Sequence, residues 1–489
     1  MPTCEWFEKL RVCGEAIKRA AQAEDFHKVT NAPIAFSKHG ELDHDSRTRA
    51  ISPNRSTTIP RERAMSCLGH CAPIVPAVFS LLLAFLAPAV ASAVATFPID
   101  DDVVVAADKR LPSHLARFVG AWSGDCWNGT LPNLLVVERV ADDGTADVVY
   151  AWGDSVDGKM KGGCTRMQAH VVDNRLTLAP PRGGPHIDYE WTRDGALLGR
   201  YAGKSGEPSY VLLTRVEGID AATIKSHASI GRHRWEDIRI PEHSAVGPTA
   251  GHLLMLQAMF YRSPLTGRRP LVIFSHGSSG GGAISRADFP RIMDGALPRI
   301  FLALGCNVIE PLRKGFGASE GSAFEETKAA GVADQVRLDS ALEDLDATVR
   351  FMATQPFVDP KRMVLVGQSR GGILSVVYAG TNPARIAGVI NFAGGWWGER
   401  TARAEFNVTQ FADAGRTAKA PMLWLYAHND SYYAPAFIQR CFDAYEGNGG
   451  KAELIEYADV PGEGHFLVNW PDQWRAKAEA FVASLGVEK

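Results

Sequence analysis

Three serines in this chain stand in the pattern Gly-x-Ser-x-Gly: Ser279 within Gly277–Gly281, Ser319 within Gly317–Gly321, and Ser369 within Gly367–Gly371. The pattern serves acyl transfer when the serine is thrust out of a sharp strand-to-helix turn, where crowding demands glycine on both sides. Ser369 has that context. The apolar run "MVLV" ends directly at Gly367, and "GGILSVVYA" behind it reads as a helix starting under a sheet. Such a start brings backbone N–H groups and a positive dipole to a reacting carbonyl. Ser279 lies in "HGSSGGGA", a poor helix start that suits another task, offering the N–H of Ser278 to an oxyanion. Ser319 lies in the polar loop "RKGFGASEG", with no helix pattern directly behind it.

A nucleophilic serine needs a base, and the base needs a group to orient it. "PMLWLYAHND" puts Asp430 just past an apolar strand, and "LIEYADVPGEGHF" puts His465 in a glycine-rich loop after the last strand. Each has a plainer reading. Asp430 could make a turn with Asn429 and Ser431, and His465 could be a surface histidine. His428 and Glu463 stand close by as competing base and acid. What favours Ser369, Asp430 and His465 together is that each follows the end of a strand.

Those residues need a parallel sheet to hold them. From about residue 230 onward, "PLVIFS", "NVIEP", "RMVLVG", "AGVINFAG", "PMLWLYA" and "AELIEYA" are strand-like runs between helical stretches. Apolar spacing predicts a helix over 332–354. Ahead of them "RHRWEDIRIP" and "HLLMLQAMFYRS" alternate like antiparallel strands. This is the rhythm of βαβ units. Between 115 and 216 the pattern differs. Eight short β-rich runs separated by Asp-Gly and Asp-Asn turns predict a small antiparallel barrel or sandwich. Such a barrel is expected to be filled by its own side chains, although a ligand cavity is the alternative. A linker is expected near 217–230.

Gly394–Ala420 lies between two core strands. It reads either as a cap over the site or as a packed short helix. As a cap it would bring Trp396 and Trp397 to an apolar substrate pocket, with Tyr432 and Tyr433 at the same mouth.

Apolar residues make up 46 % of the 489 residues and the net charge is −3, a balance without the basic stripe of a nucleic-acid binder. Residues 1–64 read as disordered or as an over-extended reading frame, with translation beginning at Met65. Ala72–Ala95 is apolar and uncharged, and Ala91-Ser92-Ala93 fits a signal-peptidase site. Residues 65–93 are therefore expected to be a signal peptide, cleaved near Ala93, that sends the protein to the periplasm or outside the cell. A membrane anchor is the alternative, disfavoured by Pro73, Pro76 and Pro88. Of eight cysteines, Cys4, Cys13, Cys67 and Cys71 precede that site. An exported chain permits a disulfide, and Cys126–Cys164 is the expected pair. Cys306 reads as a buried core thiol. No spacing suggests a metal.

"PLVIFSHGSSGGG", "VIEPLRKGFGASEGS", "DLDATVRFMATQPFVDPKRMVLVGQSRGG", "YAHND" and "GEGHF" together resemble the α/β-hydrolase superfamily, in its dienelactone hydrolase and prolyl-oligopeptidase-like branch. The resemblance covers 230–489. It implies a mostly parallel sheet flanked by helices, with the Ser369, Asp430, His465 order of an α/β-hydrolase triad. It also implies an oxyanion hole from the backbone N–H groups of Arg370 and Ser278, with His276 bracing the loop and Arg313 pairing structurally. Dienelactone hydrolases use a cysteine nucleophile where this chain has Ser369, so the resemblance does not extend to lactone specificity. The expected chemistry is hydrolysis of a carboxylic ester or related acyl bond on a small or medium substrate, without metal or cofactor. A peptidase using the same triad and a non-catalytic ligand-binding envelope protein are the alternatives.

Overall fold

The short alternating runs fold into strands that close on themselves. A turn of helix α1 (Ser113–Ala116) leads into β1 (Gly120–Ser123), β2 (Cys126–Trp127), β3 (Leu131–Val140), β4 (Thr145–Trp152), β5 (Gly163–Val172), β6 (Arg175–Leu178), β7 (His186–Trp191), β8 (Leu197–Ala202) and β9 (Ser209–Val216). All pair antiparallel, and β1 bonds both β9 and β3, so the sheet is a closed barrel with β2 as a spur on β3. Because side chains alternate along a strand, Leu135 and Val137 join Trp122, Tyr150 and Val211 in one apolar cluster, the filled interior. Leu134 and Val136 point the other way, under Phe97, Val103 and Ile224. The computed structural model describes residues 97–106, 108–179, 184–203, 206–227 and 234–486. The candidate export segment, Met65 and the four N-terminal cysteines lie outside them.

One expectation fails in this region. Cys126 and Cys164 are not joined by a disulfide. Cys126 sits on β2 and Cys164 on β5, with β3 and β4 between them. At about 4.8 Å per strand that is roughly 14 Å along the sheet, against the roughly 7 Å that a disulfide spans between Cα atoms. The expected linker contains a helix, α2 (Ala221–His227). Asp220 caps it, its carboxylate accepting the N–H of Thr223 at 2.9 Å, and Ile224 is buried against the barrel.

The second sheet has the order β10 (Glu236–His243), β11 (Leu253–Tyr261), β13 (Asn307–Pro311), β12 (Arg269–Ser275), β14 (Val358–Gln368), β15 (Gly388–Phe392), β16 (Met422–Ala427), β17 (Ala452–Tyr457). The β10–β11 and β11–β13 pairs are antiparallel and the others parallel. This is the α/β-hydrolase fold expected from the sequence. Its helices are α3 (Phe289–Met293), α4 (Ala296–Ala303), α5 (Asp334–Ala353), α6 (Arg370–Thr381), α7 (Glu405–Thr417), α8 (Pro435–Gly447) and α9 (Pro471–Ser484). Alternate residues of β12 and β14 face opposite layers. Leu271, Ile273, Met363 and Leu365 pack with residues of α5 and α6, whereas Val272, Phe274, Val364 and Val366 pack with residues of α4 and α9. Burial on both faces explains why these strands read as unbroken apolar runs. Among the described residues no helix is long and apolar enough to cross a membrane.

The Gly394–Ala420 stretch is a crossover whose helix packs into the helical layer, while Trp397 and Arg403 ahead of that helix line a cavity with Arg370. A Cβ on Gly380 of α6 would lie 2.8 Å from Ala414 Cα, and one on Gly415 would lie 2.2 Å from Tyr445 O of α8. Glycine at both places lets α7 lie close against its neighbours.

Candidate active site

The sheet order reverses around β12, which lies between β13 and β14, and the crevice at such a reversal opens at the carboxyl ends of the strands. Register brings the loops together there. Ser275 at the end of β12 pairs with Gly367, two residues before Ser369, and Gln368 pairs with Phe392. Ser369 has φ +56° and ψ −120°, backbone geometry that a residue with a Cβ rarely adopts. Such a conformation costs on the order of 1–3 kcal/mol and is held by its surroundings. Here glycines make room for it. A Cβ on Gly367 would fall 2.0 Å from Gly371 O, and one on Gly371 would fall 1.9 Å from Ser275 O. The Ser369 N–H is anchored on Phe392 O at 2.9 Å.

Past β16, Asp430 is 7 % exposed. Its Oδ1 accepts the N–H groups of Tyr432 at 2.7 Å and Tyr433 at 3.2 Å. Its Oδ2 faces His465 Nδ1 at 3.0 Å, and His465 Nε2 lies 2.9 Å from Ser369 Oγ. With the proton on Nδ1 directed at the carboxylate, Nε2 presents its lone pair to the serine hydroxyl. The three side chains, separated by up to 96 positions, thus form one hydrogen-bonded row. The Tyr432 ring stacks on the imidazole with centroids 4.3 Å apart.

The loops are fastened to each other by residues whose part was not visible in the sequence. Asn429 donates to Val460 O at 2.9 Å and to Gly462 O at 3.2 Å, tying the Asp430 loop to the His465 loop. Glu463 is not a rival acid. Its Oε1 accepts the N–H groups of Ser431 at 2.8 Å and His465 at 3.2 Å. Gln368 donates to His465 O at 3.1 Å. His428 points away, half-exposed beside Glu456.

The loop after β12 passes directly over the serine. A Cβ on Gly277 would lie 3.3 Å from Ser369 Cβ, which puts Ser278 at the edge of the site. His276 Nε2 accepts the N–H of Arg313 at 3.1 Å, so its proton is on Nδ1, which donates to Gly277 O at 2.7 Å. Burial and the neighbouring Arg313 guanidinium push the His276 imidazole well below its usual range. It braces the loop as a neutral ring. Arg313 donates to the carbonyls of His276 and Gly277 and pairs with buried Glu325. Arg370 opens α6, so its backbone N–H is one of the first-turn donors without a carbonyl partner in its own helix. The other two candidate serines are engaged elsewhere. Ser279 donates its N–H and Oγ–H to Glu326. Ser319 Oγ donates to Leu312 O at 2.6 Å and accepts from Gln257 N at 2.8 Å.

The four aromatic residues separate into two pairs. Tyr432 is 38 % exposed beside His465, and Trp397 lines a cavity of about 300 Å³ with Arg370. Trp396 and Tyr433 are buried beneath them, 3 % exposed each.

Residues 312–481 match the Dienelactone hydrolase family. The matched segment runs from the end of β13 into α9 and contains Ser369, Asp430 and His465. A protein of Methylorubrum extorquens named "Putative carboxymethylenebutenolidase" is 30 % identical over 138 residues, 28 % of this chain and 45 % of that protein. The chain thus aligns with less than half of that relative's length. Among solved structures, an esterase of Pyrococcus furiosus is similar with a TM-score of 0.37 and 16 % identity, covering 51 % of this chain and 90 % of that one. Acetyl xylan esterase 1 of a Thermoanaerobacterium species gives a TM-score of 0.36 and 16 % identity, covering 63 % and 89 %. The dienelactone-hydrolase-like segment includes the sheet ends that carry the hydrogen-bonded row, whereas the loop bearing Ser278 lies ahead of it.

Proposed function

We propose that the protein is a serine hydrolase that cleaves carboxylic esters through an acyl-enzyme. The observation that carries this reading is the unbroken row from Ser369 Oγ through His465 to Asp430. The family match and the relatives' names agree with ester hydrolysis.

In this mechanism His465 Nε2 takes the Ser369 proton as Oγ attacks the ester carbonyl. Asp430 holds the tautomer that leaves Nε2 free to accept and steadies the imidazolium that forms. The carbonyl oxygen, now an oxyanion, receives the N–H groups of Arg370 and Ser278, of which one such donor is commonly worth about 3–4 kcal/mol. Imidazolium then protonates the leaving alcohol. Water enters, His465 takes its proton, and the acid departs with Ser369 restored. The strained turn keeps Oγ ahead of the α6 N-terminus throughout. The uncharged stretch Ala72–Ala95 supports an exported location for this activity.

Labelling with a fluorophosphonate tests the assignment. Wild type should be labelled at Ser369 and Ser369→Ala should not. Equal labelling of the two would remove the nucleophile from the reading.

A further inference from the structure

The cavity lined by Arg370, the residue next to Ser369 in the chain, is built from charge. It is lined by Gly281 of the loop above the serine, by Arg370, by Lys328, by Arg337 on α5, and by Trp397 and Arg403 of the stretch ahead of α7. Among the described residues Glu326 is the one carboxylate in the lining, and it is already engaged. Burial pushes its carboxyl up, but hydrogen bonds from Ser279 and Arg286 outweigh that and hold it below its usual range. Arg337 and Arg403 share a single carboxylate, Asp334, at 2.7 and 3.1 Å. Arg370 stands 3.7 Å from Glu325, whose stronger partner is Arg313. Counting the lining and the groups bonded to it, five cations (Arg286, Lys328, Arg337, Arg370, Arg403) meet three carboxylates (Glu325, Glu326, Asp334). The excess is local, since the whole chain carries −3.

Arg337 is 1 % exposed and held by Asp334 and Ala329 O, which fixes its charge against the cavity. Arg370 and Arg403 are stiffened against Trp397, their guanidinium carbons 5.6 and 4.9 Å from its ring. Held heads of this kind lose little freedom when they bind.

We propose that this cavity is a specificity pocket for a doubly charged phosphoryl group carried by the ester that Ser369 attacks. A singly charged carboxylate would offset one of the two excess charges; a phosphoryl dianion offsets both and offers three acceptor oxygens to the Arg370, Arg403 and Lys328 donors. The inference rests on the serine-hydrolase reading for the placement of the scissile bond, and on the cavity alone for the anion.

Two measurements on the full chain separate these. Calorimetric binding of phenyl phosphate does not depend on catalysis. Wild type should bind it, and Lys328→Met and Arg403→Gln, both at accessible side chains, should each weaken binding by about tenfold to a hundredfold, the range for losing one charged hydrogen bond. Hydrolysis of p-nitrophenyl 4-phosphonobutanoate and 2-phosphonooxyethyl acetate is then compared with p-nitrophenyl glutarate, p-nitrophenyl pentanoate and ethyl acetate. At least one phosphorus ester should exceed its neutral counterpart and the glutarate in kcat/KM, and the two substitutions should erase that preference. Phenyl phosphate binding that is absent, or unchanged in both variants, overturns the pocket. So does equal cleavage of the phosphorus and neutral esters, or a preference for the glutarate. Binding that follows the substitutions in a protein that cleaves no ester supports the pocket and refutes the hydrolase reading instead.

Discussion

Asp430→Asn alters one atom and one charge in the row behind Ser369, and the structure dictates how the new side chain must sit. Oδ1 of Asp430 accepts two backbone N–H groups, from Tyr432 and Tyr433, while Oδ2 alone faces His465 Nδ1. Asparagine has one oxygen and one NH₂ donor. Turning the NH₂ toward Tyr432 and Tyr433 would set it against two donors, leaving each without an acceptor at about 1–3 kcal/mol apiece. The oxygen therefore stays on that side, and the NH₂ donates to Nδ1. An imidazole that accepts at Nδ1 carries its proton at Nε2, which then meets Ser369 Oγ with a hydrogen instead of a lone pair. The base is present, in place, and in the wrong tautomer.

Such a change in a Ser-His-Asp site costs about 10⁴ in kcat. A fall of about 10³ to 10⁴ in kcat/KM is expected here, or about 4–5.5 kcal/mol of transition-state stabilisation. The assay is hydrolysis of p-nitrophenyl acetate, together with the rate of fluorophosphonate labelling, on protein shown to be folded by circular dichroism. Labelling should slow in parallel because it uses the same base. A loss below about tenfold in a folded variant would mean that His465 needs no carboxylate to orient it, and the reasoning from Oδ1 and Oδ2 would fail.

Three other perturbations read different parts of the structure. Gly371→Ala puts a Cβ 1.9 Å from Ser275 O, so the turn must open; thermal melting should show a large destabilisation and labelling at Ser369 should be lost together. Asp125→Ala removes the bidentate partner of Arg299, a guanidinium with 0 % exposure, and should lower stability in urea by about 3–5 kcal/mol, the range for breaking a buried ion pair from one side. His276, whose folded imidazole titrates well below its ordinary 6.5, binds fewer protons folded than unfolded as pH drops. Its contribution to stability is therefore present above about pH 6.5 and lost below it, by up to about 1.4 kcal/mol per pH unit. His276→Gln should flatten that part of the urea-midpoint profile against pH, and an unchanged slope would show that the ring is not held neutral.

Much of this was legible because two periodicities were. Runs of apolar residues bounded by loops located β12 to β17, and the residues just past three strand ends, Ser369, Asp430 and His465, are those that the register gathers. The turn at Ser369 was readable from Gly367 and Gly371, which are spent on a steric need that sequence records directly. What escaped is what depends on distant segments meeting. Lys328, Arg337 and Arg403 lie in a loop, on α5 and ahead of α7, and nothing in their local patterns says that they share a cavity. Trp396 and Trp397 are neighbours of the same type, yet one is buried and the other lines the cavity, because the chain turns between them while both N–H groups cap onto the Asn407 side chain. The expected Cys126–Cys164 bridge failed for the same reason. Membership of one β-rich region says nothing about how many strands intervene.

The barrel illustrates how far a local pattern can mislead about independence. Its inward residues fill it as a small barrel's should, which by itself describes a free-standing module. The outward residues of β8 and β9 do otherwise. Leu198, Tyr210 and Leu212 belong to the cluster that contains Phe289, Leu297 and Trp474 of the hydrolase helices. Around that shared core, Arg200 donates to Asp472 with Nε at 2.7 Å, and Tyr210 OH donates to the same carboxylate at 3.0 Å. Asn469 donates to Glu207 at 3.2 Å from the far end of the short turn Gly464–Asn469. That turn carries His465. On the opposite flank, Arg299 of α4 reaches Asp125 between β1 and β2, and the two charges are fully buried. A surface that is apolar at its centre, ionic at both margins and continuous with the hydrolase core does not slide or lift without uncovering its apolar centre and parting the buried Arg299–Asp125 pair, and a charge left buried without its partner costs about 3–5 kcal/mol. The barrel is therefore part of the wall behind the His465 turn, and the position of the imidazole depends on strands more than two hundred residues before it.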